Sequence, residues 1–171
     1  QVSIYAGMIT YMYGDKKQGL SAIENALVNG DYSTLSPNSA LDASAVLLES
    51  KGDQEYRIAR QIFTRDYILQ AWFHDLFQLV DLFSKYDKPD GIAFLLEQVN
   101  DCRDLGATTS NGKMTVHLRE CDRRAVDMEH KIKSMGLTFD PFGPMETRDQ
   151  SLEKIRAGLK QQLAEFNKGK I

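Results

Sequence analysis

From Asp53 to Lys88 the chain runs for 36 residues without a glycine or a proline, the two residues that most often end helices. Ile58, Ile62, Leu69, Phe73, Leu76, Val80 and Phe83 recur there at steps of three, four and seven. Phe63, Trp72, Phe77 and Leu79 widen the middle of that stripe. The spacing predicts one continuous helix, roughly 50 Å long at 1.5 Å per residue. A helix apolar over so wide an arc needs several neighbours, so it should be the mast of a helical bundle.

The flanking segments read the same way. A first helix is expected over Val2 to Tyr13, stopped by Gly14-Asp15, and a second carries Leu20, Ile23 and Leu27 on one face up to Asn29-Gly30. Ser36-Pro37 opens a third, which bears Leu41, Ala45 and Leu48 and ends at Lys51-Gly52. Lys88-Pro89-Asp90 starts a shorter helix with Ile92, Leu95, Val99 and Cys102 inward. Leu105 to Gly112 reads as a polar turn. Beyond it, Met114, Leu118, Cys121, Ala125, Met128, Ile132 and Met135 alternate by four and three, the seam of a further helix. Leu137 to Met145 reads as an extended strap anchored by Phe139 and Phe142. Thr147-x-x-Gln150 has the form of a capping box before a last helix with Leu152, Ile155, Leu159, Leu163 and Phe166. No strand-like alternation is recognised. The expectation is an all-α antiparallel up-down bundle of about four main helices with extra N- and C-terminal helices. It forms one domain over 1–171, divided into an N-terminal extension (1–52), core helices (53–136) and the strap with its C-terminal helix (137–171).

Charge narrows the partners. The net charge is −3 with no basic block, which argues against nucleic acid. No run approaches the ~18 apolar residues of a membrane span. The two cysteines are harder to place. If 102 and 121 lie on the two arms of a helical hairpin, Cys102 faces a residue near 116. Cys121 is then offset by roughly 7 Å along the axis, beyond comfortable crosslinking distance. Pairing, and with it the redox compartment, stays open.

Catalytic patterns are missing from the sequence. His117 and Cys121 are four apart and, with Cys102, could face a metal, but a structural zinc site wants four ligands and core packing explains both cysteines. A carboxylate-bridged di-metal bundle needs Glu-x-x-His on two helices, and Asp127-x-x-His130 is the nearest approach. Neither a phosphate-binding glycine loop nor a nucleophile elbow occurs. No catalytic, cofactor or metal site is therefore expected.

Two resemblances add to this reading. Arg57, Arg60, Arg65 and Asp75 lie on the long helix; the Lys88-Pro89-Asp90 break, Leu95-Leu96-x-x-Val99 and a short turn into an amphipathic helix follow. From Asp53 to about Ile132 this order resembles the PsbQ-type extrinsic subunits of photosystem II. That resemblance implies a non-catalytic four-helix bundle docked at the thylakoid lumen, peripheral to a membrane complex. The cysteine pair, the N-terminal extension and the extra helix depart from that pattern. The spacing of Ala22, Ala59 and Ala93, at 37 and 34 residues, resembles tetratricopeptide-like repeats and implies a peptide-binding adaptor. The expected function is thus a non-enzymatic accessory subunit docking onto protein subunits of a larger assembly. Its candidate contacts are Tyr5, Met8, Tyr11, Met12 and Tyr13 at the N-terminus, and Phe139, Phe142 and Met145 in the strap. A bundle sensing a small ligand near Trp72, outside the cytoplasm, is the other class considered.

Overall fold

The computed structural model describes residues 3–29, 37–63, 80–81, 83–110 and 114–169. The fold is mostly all-α, as the periodicity predicts, with a two-stranded sheet as its exception. The chain divides into two compact units, Gln1–Leu82 and Phe83–Ile171, and the boundary falls inside the segment read as the mast. That segment is helical at its start. Its residues 64–79, including Leu69, Trp72, Phe73, Asp75, Leu76 and Phe77, lie outside the described residues.

The first unit begins with α1 (Ile4–Tyr13) and α2 (Lys16–Val28). Ser3 caps α1 by accepting from the Ala6 amide at 3.2 Å, and Asp15 caps α2 by accepting from the Gln18 amide at 2.9 Å. Two residues connect the helices, so they run back along each other. Ile4, Gly7, Met8 and Tyr11 are the buried positions of α1; Gly19, Leu20, Ile23, Ala26 and Leu27 are those of α2. The helices touch at backbone distance: a Cβ on Gly19 would collide with the Tyr11 main chain. A second hairpin follows, α3 (Pro37–Glu49) and α4 (Asp53–Phe63), closed by Lys51 at φ 57. Leu47, Leu48, Tyr56, Ile58, Ala59 and Ile62 fill its core.

The second unit has α5 (Pro89–Asn100), β1 (Asp104–Ser110), β2 (Met114–Arg119), α6 (Glu120–Asp127), α7 (Glu129–Ser134) and α8 (Met145–Lys168). Pro89 stands in the first turn of α5, where its missing N–H costs nothing. Phe94 of α5 stacks at a tilt on Phe83 with ring centroids 4.3 Å apart. Leu152, Ile155 and Leu159 of α8 are fully buried, whereas Leu163 and Phe166 are half-buried near the helix end. Met145 opens α8 behind Pro144, so Thr147 lies inside the first turn and caps nothing; the capping-box reading is corrected.

The polar turn and the first part of the seam helix are also corrected. Residues 104–110 and 114–119 pair as two antiparallel strands, with Ser110 opposite Met114 and Ala107 opposite His117. Met-Thr-Val-His-Leu-Arg alternates apolar and polar, and its β-branched Thr115 and Val116 favour a strand. Met114 and Leu118 satisfy both the four-residue and the two-residue period, which hid the strand. The seam proper starts at Cys121, and Cys121, Ala125, Met128 and Ile132 are all buried.

Hairpin register also settles the cysteines. A bulge between Asp104 and Ala107 places one extra residue on β1, with Gly106 at φ 84, and leaves Asp104 opposite Arg119. The Glu120 amide donates to the Arg103 carbonyl at 2.8 Å, so the pairing runs one step further. Cys102 then stands directly across from Cys121, with Cα atoms 4.7 Å apart, and the two are disulfide-bonded. The predicted 7 Å offset belonged to a helical hairpin that does not form here.

Two substitutions check this packing. Gly19→Ala should lower stability by about 1–3 kcal/mol despite its better helix propensity, because the Tyr11 backbone cannot yield; calorimetric melting measures it. Replacing both cysteines by alanine, which opens a loop of separation 19, should cost about 3 kcal/mol in a urea titration.

Candidate functional site

α1 is apolar on two faces. Its inner face is covered within the first unit, but Tyr5, Ile9 and Met12 form a second stripe at steps of four and three. Tyr5 is 55% exposed, Ile9 56% and Met12 47%. Together with Ile4 and Met8 they line a groove of about 230 Å³, whose other wall is Asp42, Ala43 and Val46 of α3. Of the N-terminal contact candidates, Tyr5, Met8 and Met12 are thus brought together, and Tyr13 stands exposed at the helix end. Tyr11 is corrected: it is buried, and its hydroxyl donates to Glu55 Oε1 at 3.3 Å. Burial pushes its phenol pKa up, Glu55 adds to that and Ser50 opposes it, so Tyr11 is a neutral internal anchor. Met8 is buried as well and contributes only to the groove floor. Sequence reasoning overlooked Ile9 and the α3 wall, although the 5-9-12 spacing was there to be read.

The strap candidates belong to the second unit. Phe139 is half-buried in a groove of about 350 Å³ whose apolar lining includes Ala125, Val126, Ile132, Leu137 and Pro141. Phe142 is 55% exposed and Met145 36%, and neither lines that groove.

A buried charge cluster holds the strap. Arg148 of α8 donates from Nε to the Gly143 carbonyl at 3.0 Å and from Nη1 to the His117 carbonyl at 2.8 Å. The same Nη1 reaches Asp122 Oδ2 at 2.9 Å, so one side chain joins strap, hairpin, α6 and α8. Arg119 grips the same carboxylate through Nε at 3.0 Å and Nη2 at 2.9 Å, and its amide donates to Oδ2 at 3.0 Å. Burial alone would push the Asp122 carboxyl up. The hydrogen bonds from Arg119 and the charges of Arg119 and Arg148 overcome this and hold it below the ordinary carboxylate range. One turn on, Asp127 shows the reverse: burial outweighs Arg124 and Arg123 and its pKa is raised.

Chemistry has less to work with. The metal set considered from sequence is undone, since Cys102 and Cys121 are crosslinked, and His117 Nε2 instead meets Asp104 Oδ1 at 2.6 Å on the exposed hairpin. His130 is exposed. Among the described residues no group of three or more metal-ligating side chains comes together, and no helix is long and apolar enough to cross a membrane. No protein-family model, curated protein or solved structure matches the chain.

Asp122→Asn should destabilise the second unit by about 3–5 kcal/mol at pH 7, because it removes the carboxylate that pairs with buried Arg148; Arg119 keeps Asp149 at 2.7 Å. The Asp122 contribution is fully present above the unfolded carboxylate pKa of about 3.9 and is lost as pH falls through the depressed folded value. The stability gap between wild type and variant should therefore close below about pH 4. Urea titrations across pH would show a gap independent of pH if the pairing were absent.

Proposed function

We propose that the chain is a non-enzymatic docking module, an accessory subunit that binds a protein partner through the outer face of α1. The observation that carries this reading is the stripe of Tyr5, Ile9 and Met12 beside the α3 wall. Three large apolar side chains at helical spacing, each about half exposed, bordering a concave groove, form the kind of surface that a partner covers. The occupant best suited to it is an apolar helix ridge or extended segment of another protein, seated between α1 and α3 with Asp42 at the wall. The finer reading, a PsbQ-like lumenal photosystem subunit, rests on the order of motifs in the sequence. A disulfide between the two cysteines suits the oxidising compartment that this reading requires.

A second reading, the tetratricopeptide-like adaptor, is favoured by one specific feature. The first unit contains two successive helical hairpins, α1–α2 and α3–α4, and the groove lies between the first helix of each. In that case the partner segment is an unfolded peptide rather than part of a folded subunit.

A photocrosslinker tests the docking reading. With benzoylphenylalanine at position 5, irradiation of the native extract should join the chain to one protein partner in saturable fashion. Ile9→Asp should weaken that capture about 30-fold, the equivalent of a hot spot of roughly 2 kcal/mol. The same change should leave melting within about 0.5 kcal/mol because Ile9 is a surface position. Crosslinking that is unsaturable, or indifferent to Ile9→Asp, would contradict the proposal.

A further inference from the structure

The disulfide is asymmetric in its surroundings. Cys121 is fully buried at the start of α6, whereas Cys102 is part-exposed in the segment after α5. Arg156 of α8 reaches across to Cys102: its Nη2 lies 3.2 Å from Sγ. That guanidinium is held in place by two bonds to the Val99 carbonyl, from Nε at 3.1 Å and Nη2 at 2.7 Å, and by Glu153 on Nη1. The other charges close by in sequence are paired: Asp101 with Arg103 at 2.8 Å, Asp104 with His117, Glu120 with Arg123 and Arg124, and Asp122 with Arg119 and Arg148. A fixed guanidinium against one sulfur of a disulfide has little to bind while the bond is intact, because disulfide sulfur is a weak acceptor. It has much to bind once that sulfur carries charge.

We propose that Cys102–Cys121 is a reducible site entered from the Cys102 side, whose reaction partner is a dithiol reductant. An incoming thiolate attacks the accessible Cys102 Sγ. The S–S bond breaks, and its electron pair leaves on Cys121 Sγ, which takes a proton from solvent. The reductant's second thiolate then attacks its own sulfur in the mixed disulfide, forming the reductant's disulfide and releasing Cys102 as a thiolate against Arg156. Two electrons pass from the dithiol to the cysteine pair, and the reductant's other proton goes to solvent. Reduction removes the covalent tie between the segment after α5 and the start of α6, leaving the Glu120 amide to Arg103 carbonyl bond beside it. This inference is independent of the docking reading.

Two measurements on the full chain test it. Oxidised protein is treated with glutathione, quenched with acid and mapped by peptide mass: the mixed disulfide should sit on Cys102. Protein reduced with dithiothreitol is then alkylated with iodoacetamide across pH. Cys102 should react before Cys121, with its pH midpoint below that of an ordinary thiol. Arg156→Met should slow Cys102 at pH 7 by about threefold, a tenfold loss of thiolate offset by higher intrinsic nucleophilicity. Above pH 10 the order should reverse, because the thiolate that is no longer paired is the better nucleophile. Glutathione on Cys121, or equal alkylation of both cysteines at the ordinary midpoint, would overturn the proposal, whether or not the reduced chain stays folded. The glutathione map uses unaltered protein and decides the point of entry even if the Arg156 variant fails to fold.

Discussion

A ten-residue helix that is apolar on two faces needs two neighbours, and α2 can serve only one of them. The close approach of α1 and α2 makes the allocation rigid. Because Gly19 meets the Tyr11 backbone directly, α1 cannot roll to hide Tyr5, Ile9 and Met12 without opening the contact that orders the hairpin. The proposed docking reading builds on this constraint: the exposed stripe is the consequence of a fixed inner packing, and a partner protein is the neighbour that reading assigns to it.

The second unit adds polar and covalent ties to its apolar core. Asp122 has no exposed side chain and is ringed by Arg119 and Arg148, while the disulfide closes the hairpin on the other side of α6's first turn. Buried ion pairs add little net stability compared with apolar packing, but losing one partner is costly, so such a cluster enforces one arrangement. Here the arrangement enforced is the position of the strap, through Arg148 and the Gly143 carbonyl.

Helical content, the Gly14-Asp15 connection, the Pro89 start and the inner residues of α8 were legible in the sequence, since each rests on local periodicity or a capping residue. The hairpin was not. Met114, Leu118 and Cys121 fit a helical seam so well that they mask the shorter alternation of Met114 to Arg119, and the cysteine pairing stays open in the sequence because strand register, not helical rise, sets its distance. The charge hub was beyond reach for another reason: Asp122 and Arg148 are 26 residues apart, and no local pattern marks such a pair. Of the proposed docking face, the Tyr and Met residues are legible from composition. Helical phase, not clustering in sequence, decides its membership: it turns Tyr11 inward and Ile9 outward.

The most direct test of the outer face of α1 is hydroxyl-radical footprinting, which reads the accessibility of Met12 and Tyr13 side chains. It compares the isolated chain with the same chain in the assembly purified from its source. A covered face predicts that oxidation of Met12 falls several-fold in the assembly while buried Met128 stays slow in both. Equal oxidation of Met12 in the two preparations would contradict the account.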